Sequence, residues 1–109
     1  QDLTAAIDFV LSQKEVPFKD IISQGYVEWG YQWEKNGEME EKRIDLWGIA
    51  QDTLWVVDYK TGDSRYKDEA FKQIAEYSQA LHKYLDWQGP TKWVAAYPFD
   101  EKIFVQDAP

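Results

Sequence analysis

Leu54-Trp55-Val56-Val57-Asp58-Tyr59-Lys60-Thr61-Gly62 decides the fold of this 109-residue chain. Its first four residues are apolar without alternation, the pattern of a strand covered on both faces and therefore central in a sheet. The same strand then admits an acid and a lysine before a Thr-Gly turn. An ion inside an apolar strand is costly unless something binds it. Upstream, Arg43-Ile44-Asp45-Leu46-Trp47 likewise sets an acid among apolar residues. Two carboxylates that meet in such a sheet repel by about 4 kcal/mol at about 4 Å and an effective dielectric of about 20. A divalent cation removes both costs.

The flanks supply the rest of the architecture. Residues 26–33 alternate, with Val27, Trp29, Tyr31 and Trp33 expected on one face and Tyr26, Glu28, Gly30 and Gln32 on the other. Asn36-Gly37 is a hairpin signal, because both central positions of a type I′ turn need positive φ. A second strand is expected over residues 40–48, a short turn at Gln51-Asp52, and the central strand over 54–60. Apolar residues at Leu3, Ala6, Ile7, Val10 and Leu11 predict a first helix, with Asp2 or Thr4 as its cap, ended by Pro17. The longest helix is predicted over residues 67–87, with a core stripe of Phe71, Ile74, Ala75, Ser78, Leu81 and Leu85, and Gly89-Pro90 stops it. Strands over 92–97 and 103–106 close the chain. A strand–helix–strand passage implies that the fourth strand runs parallel to the third. The order is α-β-β-β-α-β(-β), an α/β class with a mixed central sheet.

Composition bounds the rest. The chain is 44 % hydrophobic and 17 % aromatic, which argues against disorder. No segment is long and apolar enough to span a membrane. There is no cysteine, which excludes disulfides and thiolate metal sites and fits a reducing, cytoplasmic setting. The length fits one domain, residues 1–109, and the start at Gln1 reads as a piece of a longer protein. The net charge of −8 repels nucleic acid at long range, so a DNA-acting domain of this kind needs a partner to deliver the strand.

Register brings the acids together. A two-residue turn at Asn36-Gly37 pairs Lys35 with Glu38, so paired numbers sum to 73 and Glu28 falls opposite Asp45. An even turn centred on Gln51-Asp52 pairs Asp45 with Asp58. Directly opposed residues share a face, and Lys60 shares the face of Asp58. Such a row suits Mg²⁺ or Mn²⁺, since Mg²⁺ needs only one or two carboxylates and keeps several waters. Asp45 and Asp58 are the expected direct ligands, the backbone carbonyl of Tyr59 a third, and Glu28 an outlying one. Lys60 is placed to orient or help deprotonate an attacking water. Gln73 on the long helix is placed to hold Lys60 or a phosphate, and Tyr77 lies one turn further on the same side. The chemistry that fits is metal-assisted phosphodiester hydrolysis.

Arg-Ile-Asp-Leu, then Val-Val-Asp-Tyr-Lys-Thr-Gly, then Gln73 and Tyr77 on the following helix resemble the RecB-like branch of the PD-(D/E)XK nucleases. The resemblance spans about residues 28–81. It implies a restriction-endonuclease-like core and a magnesium-dependent deoxyribonuclease. It also implies a helicase-linked role in DNA repair or recombination, acting on single strands or DNA ends with a helicase domain in the same chain or a partner subunit. It assigns Asp45 as the metal aspartate, Asp58 as the acid and Lys60 as the lysine of the D-x-K motif, with Gln73 and Tyr77 as the helical glutamine and tyrosine. Such nucleases also carry an upstream His or Glu ligand. The single histidine, His82, lies near the end of the long helix and reads as a surface residue, so that upstream ligand is either absent or supplied by Glu28. The alternative is an inactive copy of the fold serving as a structural or protein/DNA-docking module. The six tryptophans read mainly as core and edge packing, with one or two free to stack on a base.

Overall fold

Two tight turns set the sheet. Asn36 and Gly37 take φ of 54° and 81°, and Gln51 and Asp52 take 56° and 58°, so both hairpins close over two left-handed residues. They join β1 (Tyr26–Lys35), β2 (Glu38–Ala50) and β3 (Thr53–Tyr59) in the computed structural model, which describes residues 3–109. The registers follow the turns: Lys35 pairs with Glu38, Trp29 with Ile44, Ala50 with Thr53 and Leu46 with Val57. β4 (Thr91–Tyr97) runs parallel to β3, and β5 (Lys102–Asp107) antiparallel to β4. The five strands lie in sequence order, which places β3 in the middle. All its residues but Tyr59 are buried, as an unalternating apolar run requires.

Helices cover both faces of this α/β sheet. α3 (Lys67–Leu85) lays Ala70, Ile74, Tyr77 and Leu81 on a layer with Ile44, Trp47, Leu54, Val56 and Trp93. On the opposite face, α1 (Leu3–Leu11) and α2 (Phe18–Gln24) contribute Val10, Phe18 and Ile21 to a layer with Leu46, Trp55, Val57 and Val94. The three helices among the described residues include one that periodicity did not reveal: α2 has only seven residues, too few to show a repeat. Asp2, one expected cap of α1, lies outside the described residues, and Thr4, the other, falls within the helix. α2 reaches the sheet because Gly25 and Gly48 let the backbones touch. A Cβ at Gly25 would overlap the Trp47 carbonyl oxygen and lie 2.8 Å from Gly48 Cα. No described helix is long and apolar enough to cross a membrane.

The regular alternation expected of β1 fails at one place. Pairing passes from Val27↔Leu46 directly to Trp29↔Ile44, and neither Glu28 nor Asp45 joins the ladder. Glu28 takes φ of 50°, a left-handed conformation that costs a non-glycine residue about 1–2 kcal/mol. Ile44 and Trp47 consequently share the α3 layer although three residues apart, while Leu46 faces the other layer. On β1, Tyr26 rather than Val27 joins the Trp29 side, its ring 4.8 Å from Trp47. Each strand holds one extra residue at the same level, so the pair sum of 73 survives on both sides.

Candidate active site

The irregularity in β2 builds the site. The β2–β3 ladder stops at Leu46↔Val57. The next β2-facing donor on β3, the Tyr59 N–H, is taken instead by the Asp45 side chain, with Oδ2 accepting at 2.7 Å. On the other edge of the strand the Lys60 N–H donates to the Ala96 carbonyl at 2.8 Å, which fixes the backbone where the lysine leaves it. Asp58 pairs with Ala95, a residue of the α3 layer. It is 3 % exposed, an acid inside the core.

Burial dominates the Asp58 carboxyl and pushes its pKa from the ordinary 3.8 up to about 6. The neighbouring Lys60 opposes that rise, and the Asp45 carboxyl reinforces it. Lys60 Nζ lies 3.0 Å from Asp58 Oδ2 as an ion pair. Beyond that ion pair the buried oxygen has no hydrogen-bond partner. Lys60 Nζ donates instead to Gln73 Oε1 at 2.7 Å, and Gln73 Nε2 donates to Tyr77 Oη, also at 2.7 Å. Tyr77 is itself buried, and burial, with the charges of Asp58 and Asp45 behind it, raises its pKa to about 12. Lys60 and Gln73 also line a cleft of about 340 Å³ with Gly62, Asp63, Tyr66 and Tyr97, so the network opens to solvent.

Asp45, Asp58, Lys60, Gln73 and Tyr77 are thus joined by contacts running across β2, β3 and α3. Glu28 does not join them: it is exposed, at the point where the β1 backbone turns left-handed. Among the described residues no group of three or more His, Cys, Asp or Glu side chains converges on one point. Tyr59 meets Asp45 through its N–H. His82 is half-buried rather than a surface residue, its Nε2 2.8 Å from Thr91 Oγ1, and it ties the end of α3 to the start of β4. Sequence reasoning missed the Asp45–Tyr59 contact, because it needs β2 to break from its ladder and no residue type marks that break.

The donors present fit a hard cation. Two carboxylates and several waters satisfy Mg²⁺, and the buried Asp58 Oδ2, held by the Lys60 ion pair alone, is the atom such an ion would share. No protein-family model matches the chain, and no curated protein matches it.

Proposed function

We propose that this domain is a divalent-metal-dependent phosphodiesterase of the PD-(D/E)XK, RecB-like kind, hydrolysing DNA with Mg²⁺ or Mn²⁺. The observation that carries the reading is the meeting of Asp45 and Asp58 beside Lys60 at the end of the central strand. A buried carboxyl held near its own neutral point by desolvation is poised to exchange a proton for a cation. When bound, the ion supplies polarisation of a phosphoryl oxygen and acidification of a water. Lys60, anchored by Gln73, presents its ammonium at the same place. There it offsets charge developing on a phosphoryl oxygen or orients the attacking water. Tyr77 fixes Gln73 and through it the lysine, and acts as a positioning residue. The restriction-endonuclease-like core, the helicase partner and the repair role follow from the motif resemblance and stand as parts of this proposal.

Calorimetric titration of Mn²⁺ tests it, together with cleavage of a labelled single-stranded oligonucleotide. Asp58→Ala is expected to abolish metal binding. Lys60→Ala is expected to keep metal affinity while losing cleavage by about two orders of magnitude or more, the size of losing one preorganised charge. Absence of Mn²⁺ binding at millimolar metal defeats the proposal. The second reading, an inactive copy kept for docking, is favoured by the acidic surface and by the convergence of only two acids. It predicts no binding and no cleavage.

A further inference from the structure

Beyond Leu46 the β1–β2 hairpin continues as an arm without a β3 partner. The side facing α3 carries Trp29, Tyr31 and Trp33, two residues apart. Their rings form a chain: Trp29 lies 5.1 Å from Tyr84 of α3 and 5.6 Å from Tyr31, and Tyr31 lies 6.3 Å from Trp33. Trp29 and Tyr31 pack against the α3-side core, but the row is not fully covered. Trp29, Tyr31 and Trp33 are half-buried, Tyr84 is 67 % exposed, and together with Gln32, Glu34, Ala80 and Lys83 they line a groove of about 410 Å³. β1 is the edge strand, and among the described residues no further strand lies beyond it.

Two observations point to what fills the groove. Lys83 Nζ sits over the Trp33 ring, 5.8 Å from its centroid, which puts a cation within the aromatic row. The row also touches the candidate active site through the buried Tyr77. Tyr31 meets Tyr77 edge-on at 6.5 Å, and Tyr77 holds Gln73, which holds Lys60. We propose that this groove is a base-stacking subsite for unpaired nucleotides, with Trp33 and Tyr84 taking base faces and Lys83 a phosphate. The identity of the ligand rests on the phosphodiesterase proposal; the geometry of the groove does not. A duplex hides its base faces, so the subsite selects single strands. It also answers the electrostatic objection. A chain of net charge −8 draws little from phosphate attraction, whereas stacking is nearly independent of net charge.

Anisotropy of a short fluorescein-labelled oligothymidylate, measured in EDTA so that neither metal nor cleavage intervenes, tests the subsite. Trp33→Ala and Tyr84→Ala are each expected to weaken binding about tenfold, within the range for losing one stacked base. The slope of log Kd against log salt should be no steeper than about 2, since few cations line the groove. Tyr84 is largely exposed, so its variant keeps the test valid if Trp33→Ala fails to fold. Wild-type protein that fails to bind the oligonucleotide, or a folded Tyr84→Ala that binds like wild type, overturns the subsite even if Mn²⁺ binds. Oligonucleotide binding that depends on Tyr84 in a protein without Mn²⁺ affinity upholds the subsite and defeats the hydrolase instead.

Discussion

Asp58→Asn should make the metal-free protein more stable while destroying its capacity for metal. The fold raises the Asp58 pKa from 3.8 to about 6. Roughly two units at about 1.4 kcal/mol each set an upper bound near 3 kcal/mol on the cost of holding the ionised group in place. Because the folded pKa lies above the unfolded one, the protonated acid favours folding. That contribution is complete below about pH 3.8 and is lost as pH rises through about 6. Asparagine keeps the shape and removes the ionisation. The attraction of Lys60 for the ionised acid is already contained in that net rise, and Lys60 retains Gln73 in the variant. The net expectation is a gain of about 1–2 kcal/mol at pH 8 that shrinks toward zero or reverses at pH 4. Urea unfolding in EDTA across that pH range measures it. Adding Mn²⁺ at a hundred times its Kd should stabilise wild type by about 2.7 kcal/mol and the variant not at all. A variant less stable than wild type at pH 8, or a difference flat with pH, would refute the claim that burial strains this carboxylate.

Two further perturbations examine the scaffold. Gly25→Ala pushes a methyl group against the Trp47 carbonyl oxygen, Ile21 O at 2.6 Å and Gly48 Cα at 2.8 Å, all backbone atoms that cannot rotate away. It is expected to cost at least about 2 kcal/mol in chemical denaturation. His82→Ala breaks the bond to Thr91 and should cost about 1 kcal/mol. Faster hydrogen exchange confined to the end of α3 and the start of β4 would report it, with Mn²⁺ affinity unaffected.

Much of this architecture was readable from residues because its hairpins are short. Asn36-Gly37 and Gln51-Asp52 each leave two residues to turn the chain, and a two-residue turn fixes pairing along the whole ribbon. The central placing of β3 followed from its unalternating apolar run. The spacing of Gln73 and Tyr77 by one helical turn put both on the side of α3 that meets Lys60. What escaped had no local signature. α2 is a two-turn helix whose place depends on the Gly25–Gly48 approach, a tertiary contact. The row of three acids failed at Glu28, since face assignments assume an unbroken pleat and a glutamate gives no sign of adopting positive φ. The role of His82 depends on Thr91, nine residues away across a turn.

The matched break at Glu28 and Asp45 has a consequence for how chemistry was fitted to scaffold. On either side of it the ribbon alternates as though these two residues were not there, with Tyr26 and Trp29 facing one layer and Leu46 and Ile44 facing opposite ones. Asp45 is therefore geometrically an insertion, balanced by a second one across the ladder. Excising both would leave a straight hairpin with every core side chain still pointing home; excising one would slide the whole arm by a step. The carboxylate is separable from the framework that displays it, but only in tandem with its counterweight.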